Sequence, residues 1–278
     1  MAFMAKTLNG KVIVITGGAQ GIGATTAAAL AREGARIAIG DLDQARADKT
    51  AAELGGDTIA LPLNVTDTKA FSAFLDEVES RLGPIDVLIN NAGVMLLAPL
   101  DQEDDAATVR QLEINLHAVI HGTREAIRRM RPRAAGHIVN VASMAGKAGF
   151  PGAATYCATK HAVVGLSEAV RHELRGSGVD ITCVMPAVVR TDLAGGLPET
   201  RLFKSLRASD VADAIVGALK EPRFDVFVPR SLDATGRLGR LVPRALSEWF
   251  MRVVGADKVF MHAHSTERAE YEAKVRQS

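Results

Sequence analysis

The chain is short of cysteine, of net charge and of long apolar runs, and each shortage closes off a class of protein. Two cysteines in 278 residues, Cys157 and Cys183, cannot build a disulfide framework and show no metal-ligand spacing, so a reducing compartment is expected and no metal is assigned. Thirty-three basic against thirty-two acidic residues leave a formal charge of +1, which gives no electrostatic reason to expect nucleic acid as a partner. No run of apolar residues is long enough to span a bilayer, and the opening Met-Ala-Phe-Met-Ala-Lys-Thr-Leu-Asn-Gly lacks the apolar core of a signal peptide. A cytoplasmic protein is the expectation. There is no low-complexity tract and no composition break to mark a linker, and 47% hydrophobic residues can bury one large α/β core.

What is present is organised around residues 12–30. Val12-Ile-Val-Ile-Thr16 is too short for a helix and is stopped by glycine, so it reads as a strand buried on both faces, and the Ala-rich stretch after Gly23 reads as a helix. Glycines between the two let the chain turn sharply, bring backbone close to a ligand and pack the helix on its strand. The free N–H groups at the helix start, with the positive end of its dipole, suit a pyrophosphate. Gly17, Gln20, Gly21, Ile22 and Gly23 are therefore candidate cofactor residues, in the spacing T-G-x-x-x-G-x-G. Asp41 closes the next strand eighteen residues past Gly23, near the distance at which such a unit places a carboxylate on the adenosine ribose. A 2′-phosphate there would be repelled by roughly 3 kcal/mol per pair of unit charges, at about 5 Å and an effective dielectric of about 20. Neither Gln20 nor Leu42 offers a compensating cation, so NAD is expected over NADP.

Strands at 12–16, 36–40, 58–64, 85–93, 136–143, 179–186 and 224–228 alternate with helical stretches, including one long stretch at 104–130. Such alternation predicts βαβ units and a Rossmann-type, doubly wound sheet of seven parallel strands in a single domain, residues 1–229, with a helical C-terminal extension, residues 230–278. Asn90-Asn91-Ala92-Gly93 ends the fourth strand at the edge where open parallel sheets bind ligands.

Tyr156-Cys-Ala-Thr-Lys160 lies inside the helix after the fifth strand, and residues four apart share a helix face. One ammonium at about 5 Å from a phenol, at an effective dielectric of about 20, favours phenolate by roughly 3 kcal/mol, which would bring a pKa near 10 down to about 8. That range suits general acid/base work.

Thr16-Gly17-x-x-x-Gly21-x-Gly23, Asn90-Asn91-Ala92-Gly93, the helical Asn115, Ser143 thirteen residues before Tyr156, Tyr156-x-x-x-Lys160 and Pro186 to Thr191, in this order, resemble the short-chain dehydrogenase/reductase family over residues 8–229. The resemblance implies that Tyr156 exchanges a proton with a substrate alcohol or carbonyl and that Ser143 bonds the same oxygen. It implies further that Lys160 lowers the tyrosine pKa and holds the nicotinamide ribose, that Asn115 anchors a water in the proton path, and that hydride moves to or from nicotinamide. Asn91, Ala92, Gly93 and Pro186 would line the cofactor, the Val189 backbone would meet the carboxamide and Thr191 the phosphates. Two positions depart from the family pattern. Asn64, beside Val65, replaces the usual aspartate at the adenine amino group, though its carbonyl can still accept that bond. Ala187 replaces a glycine after Pro186, which could shift the nicotinamide.

Met95, Leu96, Leu97, Met144, Ala148, Phe150 and Leu193 sit on loops at the strands' carboxyl edge and would wall an apolar pocket, suggesting a hydrophobic secondary alcohol or ketone. Residues 192–208 read as a substrate lid. Cys157 reads as a core cysteine, and His117, His121 and His161 lack partners at metal spacing. In the tail, Leu238, Leu241, Val242, Leu246, Trp249, Phe250 and Val253 form one helical stripe, for which packing on the core or a sister subunit, a cover over the substrate mouth and a membrane-surface helix all stay open. A homo-oligomer is expected by resemblance. Two other functions remain in view: a 3-oxoacyl-thioester reductase, opposed by Asp41, and a non-catalytic NAD-sensing regulator, which has no need of the Asn115, Ser143, Tyr156, Lys160 set.

Overall fold

A computed structural model of the chain describes residues 5–197, 205–233, 260–261 and 265–277. Seven parallel strands form one sheet in the order β3-β2-β1-β4-β5-β6-β7. They are β1 (Val12–Thr16), β2 (Arg36–Asp41), β3 (Thr58–Pro62), β4 (Val87–Asn90), β5 (Gly136–Val141), β6 (Val179–Pro186) and β7 (Asp225–Val228). The order reverses beside β1, where the sheet opens a crevice at its carboxyl edge.

Period-two alternation divides β1 between two cores. Ile13 and Ile15 pack with α1 (Gly21–Arg32) and α7 (Ala208–Lys220), while Val12 and Val14 face the side of α3 (Thr68–Leu82), α5 (Ala118–Met130) and α6 (Ala154–Glu173). Both faces of every central strand are covered, as all-parallel sheets require. Side-chain caps set the helix starts: Asp43 accepts the Arg46 N–H at 3.1 Å to open α2 (Gln44–Leu54), and Asp67 accepts those of Lys69 and Ala70.

The 104–130 stretch is α4 (Asp105–Leu112) running into α5 through one π turn, Glu113–His117. Three strands stop short of the sequence expectation. β4 pairs only to Asn90 because the Asn91 amide turns back to donate to the carbonyls of Thr16 and Gly17, at 3.0 and 2.9 Å. β3 pairs to Pro62 and β5 to Val141, though the Ala142 N–H still bonds the Val184 carbonyl. Between β4, β5 and the helices, Asn90 donates to Asn140 at 2.8 Å and Asn140 to Ser167 at 3.0 Å, a buried amide chain that fixes the two strands bearing the candidate site. A last helix, α8 (Thr266–Gln277), follows far along the chain. Among the described residues no helix is long and apolar enough to cross a membrane. The tail stripe 238–253 and Pro198 lie outside the described residues.

Candidate active site

One cleft of about 650 Å³ runs along the carboxyl edge of the sheet, and its two ends differ in character. At the first end lies the turn from β1 into α1. Gly17 and Gly21 have φ of +65° and +56°, a region that side chains other than glycine rarely adopt. A Cβ on Gly17 would lie 2.9 Å from the Ala92 backbone, and one on Gly21 would lie 3.1 Å from Thr191. The cradle is thus closed by the Ala92 main chain on one side and the Thr191 side chain on another. Gln20 occupies the N-cap of α1 without a side-chain cap, and the first turn carries no acid, so the helix N–H groups remain for an anion. Thr16 holds the facing segment: its hydroxyl accepts the N–H groups of Asn91 and Ala92, each at 3.1 Å. These residues fit a dinucleotide.

Asp41 stands at the rim of this end with both oxygens engaged. Oδ2 accepts the Ala19 N–H at 3.0 Å and Oδ1 the Asp43 N–H at 3.1 Å, so the carboxylate also braces the glycine turn. Sequence reasoning passed over Arg46, a cation on the first turn of α2; it pairs with Asp192 at 3.4 Å and Asp43 at 3.8 Å. The Asn64 carbonyl already accepts the N–H and hydroxyl of Thr66, at 3.1 and 2.8 Å. Its expected bond to an adenine amino group would compete with that turn, and the amide Nδ2 is the atom left to donate.

Between the two ends lies the expected reactive set. Ser143, at the tip of β5, bonds the Tyr156 phenol, accepts the Ala145 N–H at 3.1 Å, and sends its own hydroxyl 3.5 Å to the Pro186 carbonyl. Lys160 donates to the Val141 carbonyl at 3.0 Å, with Nζ 5.7 Å from the centre of the Tyr156 ring. Both side chains are buried, at 7% and 4% exposure for Tyr156 and Lys160. Burial works against the sequence argument, in which the lysine alone set the direction. It pushes the phenol well above its usual value despite the Ser143 hydrogen bond, and it pushes the Lys160 ammonium down to about 8. In the chain by itself the phenol therefore keeps its proton.

Gln20, Ile22, Val65, Asn91, Gly93, Pro186 and Val189 also border the cleft. Gly23 and Asn115 do not, and they act from behind it. A Cβ on Gly23 would run into the Gly17 carbonyl, so that glycine packs α1 against the turn. Asn115 is fully buried in the π turn, accepting the Val94 N–H at 2.8 Å and donating to the Val94 carbonyl at 2.8 Å. Its side chain is thereby spent on holding the chain after β4. Ala187 sits where no positive φ is needed, since among the described residues Ala134 is the one non-glycine with positive φ.

Of the expected apolar wall, Met95, Met144, Ala148, Phe150 and Leu193 border the cleft. Leu96 does not: it turns away to pack with Ala107 and Val275. Leu97 packs behind, in the cluster of Met95, Tyr156 and Phe260. Sequence reasoning missed Phe260, whose ring stands 5.2 Å from that of Phe150. The one local signal was Gly152, with φ of +78°, where a Cβ would lie 3.3 Å from the Phe260 backbone. Cys157 is buried away from the cleft, and burial pushes its thiol up. Among the described residues no group of His, Cys, Asp and Glu could hold a metal ion.

Comparison with known proteins accords with this geometry. A family model described as short chain dehydrogenase matches residues 11–202. The probable oxidoreductase EphD of Mycobacterium tuberculosis is 35% identical over 263 residues, 84% of this chain; the chain spans 44% of that relative's length. The D-threitol dehydrogenase of Mycolicibacterium smegmatis is 40% identical over 189 residues, 67% of this chain and 73% of that protein. A crystal structure of a short chain dehydrogenase/reductase from Burkholderia phymatum in complex with NAD superposes with a TM-score of 0.78 at 30% identity, covering 84% of this chain and 94% of that one.

Proposed function

Since the chain belongs to the short-chain dehydrogenase family, we propose that it is an NAD-dependent oxidoreductase that moves a hydride between nicotinamide and a hydrophobic secondary alcohol or ketone. The observation that carries this reading is the convergence of Ser143, Tyr156 and Lys160 on a single cleft, with a glycine cradle at one end and apolar walls at the other. When bound, the nicotinamide supplies the hydride acceptor or donor and, in its oxidised form, a positive charge near the phenol.

The chain's residues supply position and the proton path. Tyr156 takes the alcohol proton during oxidation and returns it to the carbonyl oxygen during reduction. The Ser143 hydroxyl, whose bond to the Pro186 carbonyl is long at 3.5 Å, is readily redirected to the same substrate oxygen. Lys160 stays protonated below about pH 8 and biases the phenol towards release, while its tie to the Val141 carbonyl holds it in place. Burial sets a threshold on the oxidative direction: the phenolate that takes the alcohol proton would form more readily once positive charge entered the cleft. Asn115 holds the Val94 segment from behind the cleft. At the far end Asp41 receives the adenosine ribose and disfavours a 2′-phosphate, making NAD the preferred cofactor.

The test is a panel of hydroxysteroids, long-chain secondary alcohols and acyl thioesters followed by NADH absorbance, with wild type and Tyr156→Phe. Turnover of an alcohol or ketone by wild type, lost in Tyr156→Phe, supports the reading. Equal turnover by both contradicts it, and activity confined to acyl thioesters would reassign the chain to the 3-oxoacyl reductases.

A further inference from the structure

The segment after β4 forms one wall of the cleft, and a chain that leaves a sheet must find partners for its main-chain polar groups. Val94 is served by Asn115, and the Leu96 N–H donates to Gln111 at 3.2 Å. The N–H groups of Met95 and Leu97 are served from far along the chain by α8. Met95 N–H donates to the Tyr271 hydroxyl at 3.1 Å, and Leu97 N–H donates to Glu272 at 3.2 Å. The opposite wall is the segment after β6, which carries Leu193. One guanidinium joins the two walls: Arg268 donates through Nη1 to the Leu193 carbonyl at 2.8 Å and through Nη2 to the Met95 carbonyl. Its Nε pairs with Glu272 at 2.8 Å, and its Cζ lies 4.8 Å from the centre of the Tyr271 ring. Arg268 is 2% exposed.

The segment after β6 is cut to receive this helix. A Cβ on Gly195 would lie 2.9 Å from Glu267, and one on Gly196 would run into Ser265 and approach the Arg268 Cβ to 3.0 Å. This glycine pair, inside the segment read from sequence as a substrate lid, is a seat for α8. A guanidinium suits the task because its planar fork reaches two acceptors in fixed directions, which an ammonium cannot do.

We propose that Arg268 is a positioning residue that sets the width of the substrate chamber, holding the Met95 and Leu193 walls at one separation and so selecting substrates by size. The inference rests on the hydride-transfer reading of the cleft but can be separated from it. Without the guanidinium the two walls part, α8 loses its grip, and the chamber admits a wider range of substrates while the reactive set stays in place.

The experiment measures kcat and KM for secondary alcohols of increasing chain length and branching, with wild type, Arg268→Met, Arg268→Lys and Gly196→Ala. Arg268→Met is expected to compress the ratio between favoured and disfavoured members about tenfold, a methylene-scale change in pocket fit, through KM with kcat nearly constant. Arg268→Lys should not rescue it, whereas added guanidinium ion should partly restore the profile of Arg268→Met. Gly196→Ala, which keeps the guanidinium but lifts the helix from its seat, should compress the ratio in the same direction and carries the test if Arg268→Met does not fold. Calorimetric Kd values for the same series, taken with NADH bound, read the chamber width whether or not hydride moves. A size profile unchanged in all three variants, or a kcat loss equal across the series, overturns the proposal. Wild type that binds the series by size but never oxidises it would instead overturn the hydride-transfer reading alone.

Discussion

The two ends of the cleft are made in opposite ways. The end proposed to hold the dinucleotide is built almost wholly from main chain and short-range sequence: glycines at 17 and 21, the open N-terminus of α1, and a carboxylate braced on the turn beside it. The substrate end is built from side chains that come together only in three dimensions, with Met95, Phe150, Leu193 and Phe260 drawn from four separate segments. The first end can be altered only by changing backbone or charge. The second can be reshaped by packing alone, and this is the physical reason one scaffold can keep its cofactor while changing its substrate. Tyr156 and Lys160 stand where the two ends meet.

Substitutions should therefore sort by end. The largest effect belongs to the junction: Tyr156→Phe should lower kcat about 10³-fold while leaving NADH affinity unchanged, read by steady-state rates and by fluorescence titration. A matching loss of NADH binding would mean that the two ends are not separable there.

Lys160 gives the next effect, as stability against pH. Burial lowers its pKa to about 8, against about 10.4 for lysine in an unfolded chain. Between those values the unfolded state binds more protons, so stability rises with pH, by about 3 kcal/mol in all. Below pH 8 the folded state carries the full burial penalty. Lys160→Met removes that penalty, so its urea midpoint relative to wild type should be most favourable near pH 7 and lose ground towards pH 10. A difference independent of pH would place the ammonium in water.

At the dinucleotide end, Asp41→Ala should shift the NAD/NADP preference towards NADP by about 30-fold to 160-fold, as expected for removing roughly 2 to 3 kcal/mol of repulsion. Substrate KM should not move. Arg46, paired with Asp43 and Asp192, would have to leave those carboxylates to assist. At the substrate end, Phe260→Ala should raise KM for bulky substrates several-fold and leave cofactor affinity alone, since its ring packs on Phe150 and not on the glycine turn. A change in cofactor affinity would sink the division drawn above.

The same division explains what could be read from sequence. Every strand was legible because alternating burial on two faces leaves β-branched runs such as Val12-Ile-Val-Ile, and the glycine turn was legible because its backbone demands leave glycine little competition. Asp43 and Asp67 were legible as helix caps for the same local reason. The π turn at Asn115 was not, since one extra residue in a helix leaves the apolar period almost unchanged. Phe260 and Arg268 were illegible because their partners, Phe150, Met95 and Leu193, lie far away in the chain and no period links them. The pKa of Tyr156 was misjudged for a related reason: the lysine four residues away is visible in sequence, but the depth of burial is a property of the fold.

The claim on which the account turns is that burial holds the proton on Tyr156 until the oxidised cofactor arrives. The chain has two tyrosines, Tyr156 and Tyr271, so Tyr271→Phe leaves a single phenol whose ionisation can be followed by ultraviolet absorbance against pH. The account predicts that this variant forms no phenolate near neutral pH when free of cofactor and that saturating NAD moves the transition to lower pH. A transition already near neutrality without NAD, or one that NAD leaves in place, would contradict it.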